Sequence, residues 1–595
     1  MRLSKKKTDV SLTIDGRKVT VPAGTTVFNA AKKAHINIPH LCYNEILSIY
    51  GACRVCCVEI KGRAKLEASC SLPAEEGMIV TTNNARIRKA RRMITELLLA
   101  NHPEDCFTCD KNQNCELRQL SYDLGIKELR FKKARKYDYA IDLSSPAIIR
   151  DPNKCIQCSR CIRVCADVQG VGAIEFINRG ARTQVLTAFN KGLNNVECTN
   201  CGQCILVCPT GALREKTETE KVWDAISDPD KFVIVQAAPA VRVAIGEEFG
   251  MPAGSLVTGK MAAALRRLNF DKVFDTQFTA DLTIIEEANE LIHRVKTGGK
   301  LPMITSCSPG WIKFDEHFFP GLLNHLSTCK SPQQMFGPIA KTYYAEKLKM
   351  DPRKIYVVSV MPCTAKKFEA QRPEMTSAFD FWKKKMHLNE KDRFFDVDAV
   401  LTTREAARMM KEAGIDFVNL PDEEFDKPLG ISTGAGTIFG ASGGVMEAAL
   451  RTAYEVITGK TLKQLDFKAV RGMKGIKETE VTLNGLTVKV AAVSGLANAK
   501  KIMKDVEAGK SPYHFIEIMC CPGGCLAGGG QPIPTTIEIK KKRAAAVYRE
   551  DRNMPIRKSH ENPAIKTLYS DFLKKPLGEK CHALLHTRYT KRKRY

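Results

Sequence analysis

No apolar run in this chain approaches the roughly 18 residues needed to cross a bilayer. The basic opening Met1-Arg2-Leu3-Ser4-Lys5-Lys6-Lys7 has no apolar segment behind it that could act as a signal peptide. Together these absences predict a cytoplasmic protein with no transmembrane segment. Also missing is a G-x-G-x-x-G run after a predicted strand, so no flavin or pyridine-nucleotide site is expected on this chain. At 595 residues one hydrophobic core cannot serve the whole chain, and several domains are expected.

What the sequence has in quantity is cysteine, 23 residues gathered into C-x-x-C clusters. A reducing cytoplasm disfavours disulfides, so clustered thiols at these spacings point to metal ligation. The formal charge of +26 overstates the field, because a four-thiolate iron–sulfur cluster carries roughly two negative charges. Most basic residues are scattered. The exceptions are Arg86-Ile87-Arg88-Lys89-Ala90-Arg91-Arg92, Lys132-Lys133-Ala134-Arg135-Lys136 and Lys591-Arg592-Lys593-Arg594. The remaining positive charge favours an acidic protein partner over nucleic acid, with many of these residues on solvated faces.

Along the chain, residues 10–21 alternate around Asp15-Gly16, a hairpin signal, and Thr25 to Ala34 reads as a helix. Cys42, Cys53, Cys56 and Cys70 follow with spacing C-x10-C-x2-C-x13-C, and Cys57 stands outside that pattern as a buried spare thiol. The plant-type C-x4-C-x2-C spacing is absent. An amphipathic helix over Arg86 to Leu99 leads to His102, Cys106, Cys109 and Cys115, a set that could hold either zinc or an iron–sulfur cluster. Cys155, Cys158, Cys161 and Cys165 are echoed by Cys198, Cys201, Cys204 and Cys208-Pro209. This doubled C-x2-C-x2-C-x3-C run is the two-cluster bacterial ferredoxin motif, in which each fourth cysteine serves the other cluster. One set is then Cys155, Cys158, Cys161 and Cys208, and the other Cys198, Cys201, Cys204 and Cys165. So many clusters in series exceed what small domains need for stability and imply an electron wire.

From Phe232 the character changes. Phe232-Val233-Ile234-Val235 and Ile355-Tyr356-Val357-Val358-Ser359-Val360, separated by helical patterns, predict buried parallel strands of an α/β domain, with ligands at the loops that follow them. The sharpest motifs fall at such loops: Ala237-Ala238-Pro239, Thr305-Ser306-Cys307-Ser308-Pro309-Gly310-Trp311, Met361-Pro362-Cys363-Thr364-Ala365-Lys366-Lys367-Phe368-Glu369, and Met519-Cys520-Cys521-Pro522-Gly523-Gly524-Cys525 with Gly528, Gly529 and Gly530 behind it. Thiols among glycines suggest a metal-cofactor pocket. Gly434, Gly436, Gly440, Gly443 and Gly444 are expected to allow close approach of that cofactor. Glu287, Glu290 and Arg294 share one face of a helix over Thr283 to Lys296, which by itself reads as an exposed salt-bridged stripe.

On these motifs the chain closely resembles the [FeFe]-hydrogenases in the long form with accessory iron–sulfur domains, and its N-terminal modules also resemble those of respiratory complex I large subunits. The resemblance implies a multidomain α+β and α/β protein: a β-grasp [2Fe–2S] ferredoxin domain over 1–82, a small His/Cys cluster domain with one [4Fe–4S] cluster over 83–125, a two-cluster [4Fe–4S] ferredoxin domain over 140–218, and a two-lobed α/β H-cluster domain over 225–595. It implies reversible conversion of protons and electrons to H2 at an H-cluster, a [4Fe–4S] cubane joined to a di-iron subsite bearing CO, cyanide and an azadithiolate. Cys363, Cys521 and Cys525 would hold the cubane, with Cys525 as the bridge and Lys366 donating to a cyanide. Pro239, Met361, Met519 and Gly524 would surround the group, and Glu287, Ser327, Glu290 and Arg294 would form a proton path.

Two departures stand out. Where relatives carry adjacent cysteines before Pro309, this chain has Cys307 and Ser308, and Cys520 stands beside Cys521 where alanine is expected. The fourth cubane ligand therefore stays open among Cys307, Ser308 and Cys520, and so does the assignment of proton donor. Ala240 replaces a serine often found near a cyanide. Ferredoxin, another acidic carrier, or a flavin- and NAD(P)H-binding iron–sulfur subunit would exchange electrons with the chain. A non-catalytic electron-transfer subunit is the competing reading, and the motifs at Cys363 and Cys521 argue against it.

Overall fold

The computed structural model describes residues 9–131, 138–483 and 486–593. The basic run Lys132 to Lys136, residues 1–8 and Arg594 lie outside the described residues.

Strands Asp9–Ile14 and Arg17–Pro22 pair antiparallel, turning through Asp15 and Gly16 at φ 45° and 80°. Those left-handed values are what a two-residue hairpin loop requires. The helix Val27–Lys33, capped by Thr26, covers a five-stranded sheet in which Ile79–Thr81 joins Asp9–Ile14 in parallel. Helix Ala85–Leu99 follows, with Asn84 accepting from the Ile87 N–H as its cap. A compact unit over 138–216 packs around short antiparallel pairs, Ile148–Arg150 with Leu213–Glu215 and Glu175–Ile177 with Gln184–Leu186.

Beyond residue 230 the fold has two lobes. In the first, strands Lys272–Asp275, Phe232–Ala237, Ile355–Met361 and Ala399–Thr402 lie in that spatial order, all parallel. The two runs expected to be parallel strands are hydrogen-bonded neighbours, Phe232 opposite Ile355, and almost every residue of both is buried because helices cover the two faces. In the second lobe, Met303–Ile304, Phe515–Met519 and Leu486–Ser494 are parallel, and Ile476–Leu483 closes the edge antiparallel. Four loops meet where the lobes face each other, each leaving the C-terminal end of a strand: those after Ala237, Ile304, Met361 and Met519.

Two expectations need correction. The helix expected over Thr283 to Lys296 starts earlier, at Thr276, and runs to Thr297. Asp275 ends a strand and caps the helix in the same step, accepting from the Gln277 N–H, so no turn residues announce the start. The glycines also serve a different purpose. A Cβ on Gly434 would lie 2.2 Å from the Asp551 carboxylate, one on Gly443 1.9 Å from the Val470 carbonyl, and one on Gly529 2.4 Å from the Cys201 carbonyl. They let protein backbones touch, and of the five expected to admit a cofactor only Gly440 borders the central cavity.

Candidate active site

The four converging loops line a central cavity. Cys363, Cys521 and Cys525 line it together, as do Pro239, Cys307, Ser308, Met361, Lys366, Met519, Cys520 and Gly524. Met361 and Met519 are the last residues of strands from opposite lobes, so two thioether side chains bound the site from both sides. Burial, followed by the charges of Cys521 and Cys525, raises the Cys363 thiol above its ordinary range. Only a metal would hold these three sulfurs together as thiolates.

Lys366 is the cation of the cavity wall. Its Nζ donates to the Cys307 carbonyl at 3.1 Å and to Glu369 Oε2 at 2.8 Å. Glu369 closes the motif that begins at Met361 and has no role by sequence alone, although Lys366 and Glu369 stand i, i+3 on the helix Ala365–Ala370 and such pairs are readable. The Glu369 carboxylate in turn accepts from Ser331 and Gln333. Gln333, Thr276 and Phe439 also border the cavity; nothing in their local sequence marks them.

From Cys307 a line of polar groups leads outward. Burial and then the Glu287 charge raise the Cys307 thiol well above its usual value. Burial and then Glu290 push Glu287 up to about 8, against a smaller opposing pull from Ser327. Ser327 Oγ donates to Glu290 Oε2 at 2.8 Å, and Arg294 Nη2 donates to Glu290 Oε1 at 2.6 Å. Glu287 is only 2% and Glu290 7% exposed, so the exposed-stripe expectation fails. The helix turns this face inward because Ser327 and Thr328 lie against it.

The accessory thiols also gather. Cys42 lies within hydrogen-bonding reach of Cys53 and Cys70, and Cys56 of Cys70. Cys57 is buried, as expected of a spare thiol, in the strand Cys57–Ile60. Cys106 and Cys109 add their charges to the burial that raises the Cys115 thiol, and His102 sits on the turn that ends the helix before them. Cys155, Cys158, Cys161 and Cys208 line one cavity. Cys165, Cys198, Cys201 and Cys204 line another. These are the two crossed sets read from the doubled motif. Cys201 also borders the central cavity, so the last accessory site and the central one share a wall.

A chain of thiol-lined sites ending in a buried thiolate cavity defines an iron–sulfur redox enzyme. Residues 231–529 match the iron only hydrogenase large subunit, C-terminal domain, and residues 537–592 the iron hydrogenase small subunit. Residues 7–85 match a 2Fe-2S cluster binding domain, 91–130 the NADH-ubiquinone oxidoreductase-G iron-sulfur binding region, and 145–214 a ferredoxin-like domain of NADH-quinone oxidoreductase subunit 3. An NADP-reducing hydrogenase subunit of Solidesulfovibrio fructosivorans is 51% identical over 98% of this chain and 99% of its own length. Iron hydrogenase 1 of Clostridium pasteurianum is 41% identical over 98% of this chain and 100% of its own. A solved [FeFe]-hydrogenase from Chlamydomonas reinhardtii superposes with TM-score 0.55 at 42% identity, covering 63% of this chain and 99% of that one. The chain belongs to the iron-only, or [FeFe]-, hydrogenase family. It is an oxidoreductase that acts on hydrogen, with iron–sulfur accessory domains and an H-cluster domain. Among the described residues no helix is long and apolar enough to cross a membrane.

Proposed function

We propose that the chain interconverts H2 with protons and electrons reversibly in the central cavity, with electrons moving through one [2Fe–2S] and three accessory [4Fe–4S] clusters. The observation that carries this is the meeting of Cys363, Cys521 and Cys525 with Cys307 and Lys366 in one buried cavity whose wall includes Cys201. The donor set fits an H-cluster: three thiols for iron, one ammonium for an anionic ligand, and an otherwise largely apolar lining of Pro239, Met361, Phe439 and Met519 that excludes water. When bound, that group supplies an open iron position and the electronic chemistry of CO, cyanide and azadithiolate ligands. Cys525 would bridge its two parts.

The protein's own part is positioning and proton handling. Cys307 holds a proton on Sγ at neutral pH, because burial disfavours its thiolate. Glu287 is largely protonated there too, so it can pass a proton and recover one through the Ser327 hydroxyl, which is already bonded to Glu290. Arg294 pairs with Glu290 at the outer end, its side chain 12% exposed. Electrons enter through Cys201 and its neighbours. The two flows reach the cavity by separate routes.

Ferredoxin or a comparable acidic carrier, or a flavin- and NAD(P)H-binding iron–sulfur subunit, is the proposed electron partner. The basic runs and the absence of a nucleotide-binding motif here support that reading, as does the relative named as an NADP-reducing hydrogenase subunit. A cytoplasmic setting agrees with cysteines gathered into C-x-x-C clusters suited to metal ligation. Reduction of a viologen dye under H2 by anaerobically matured protein is the test. Dye that stays oxidised would refute the reading.

A further inference from the structure

A [4Fe–4S] cubane is held by four cysteine thiolates, and Cys363, Cys521 and Cys525 provide three. Cys307, Ser308 and Cys520 border the same cavity. Cys307 stands on the Lys366 side, its carbonyl accepting from Lys366 Nζ at 3.1 Å. Ser308 offers a hard hydroxyl oxygen, poorly matched to a site that selects thiolates. That oxygen already accepts from the Cys520 N–H at 3.1 Å.

Cys520 packs at the edge of a buried cluster with Trp311 and Ile518, and its sulfur also reaches the central cavity. It is 4% exposed, and its Sγ lies within hydrogen-bonding reach of both Cys521 and Cys201. Its contact to Gln169 Oε1, at 3.9 Å, is too long to hold it firmly. Room has been kept for this sulfur, since a Cβ on Gly310 would come within 2.7 Å of it. The chain thus carries a hydroxyl where one thiol could stand and places a thiol on the residue whose N–H contacts that hydroxyl.

We propose that Cys520 supplies the fourth thiolate of the cubane, in the role that Ser308 leaves vacant. On ligation its S–H proton leaves to solvent and the sulfur gives an electron pair to iron, with no change of oxidation state. The neighbouring Cys201, a ligand of the last accessory cluster, then meets a cubane ligand sulfur to sulfur, which gives electrons a short entry. This rests on the H-cluster reading above.

The test uses the full chain purified anaerobically without di-iron maturation, read by iron content and by the electron paramagnetic resonance of the reduced clusters. Cys520→Ala is expected to lose about four irons per chain and one cubane signal while keeping the accessory signals. Ser308→Ala is expected to lose neither, and Ser308→Cys in the Cys520→Ala background to regain both. Should Cys520→Ala also lose accessory signals through misfolding, the double variant decides: recovery supports the assignment and continued loss overturns it. Full iron and an unchanged cubane in Cys520→Ala, or loss of the cubane in Ser308→Ala, would also overturn it. Failure of the H-cluster reading is separable, because matured wild-type protein would then lack CO and cyanide infrared bands whatever the iron counts of the variants.

Discussion

Glu287 shows most plainly what a single residue does in this molecule. It is a buried carboxyl pushed up to about 8 by burial and by Glu290. The sign of its effect on stability follows. Its contribution is complete below the ordinary carboxyl value of 4.5 and is lost as pH rises through about 8. Glu287→Gln should therefore flatten the pH dependence of unfolding across that window, measured as denaturant midpoints. The same variant should slow H2 turnover by roughly a hundredfold or more, the usual worth of a positioned proton donor, with the cluster spectra unchanged. Lys366→Met should prevent a stable di-iron subsite, seen as missing infrared bands in protein that retains its cubane. The grouping of the thiols was the most legible feature at this scale, because the sets read from spacing line common cavities. Burial of the Glu287 face was not legible, since Ser327 and Thr328 pack on it from a segment more than 30 residues away.

Among elements, the join between the ferredoxin unit and the catalytic lobes depends on Arg404, in the helix Thr403–Glu412. Its Nε and Nη2 donate to the two oxygens of Glu215 at 3.0 and 2.7 Å, and Nη2 also reaches the Gly529 carbonyl at 2.9 Å. Burial opposes ionisation of Glu215, yet Arg404 pulls it down to about 2. Its stabilising contribution is therefore present above 4.5 and lost as pH falls toward about 2. Arg404→Met leaves a buried carboxylate unpaired and should cost about 3–5 kcal/mol at this joint, read as earlier loss of the ferredoxin unit in thermal unfolding. Strands and the first hairpin were legible because their periodicity and turn residues are local. Apart from Gly440 and Gly528, which border the cavity, the glycines around 434–444 and 528–530 were legible as close contacts, but with the wrong neighbour. A sequence records that a Cβ is missing and not what approaches.

Across the whole molecule, thiol-lined sites follow one another from Cys42 to Cys525, and buried cations stand beside two of them. Lys313 Nζ is buried without a protein hydrogen-bond partner among the described residues, and the leading charge it faces is Cys198. Lys111 Nζ is likewise buried, facing Cys208. Each ammonium favours the extra electron on the adjacent cluster. Lys313→Met should shift that cluster's midpoint potential to more negative values, by about 59 mV for each tenfold loss of preference for the reduced state, measured by spectroscopic redox titration.

Whether these sites feed electrons to an H-cluster is read by infrared spectroscopy of anaerobically matured protein under H2 and then under argon. CO and cyanide stretching bands are expected, with positions that shift between the two gases. Absence of those bands in protein that retains its accessory clusters would contradict the H-cluster reading.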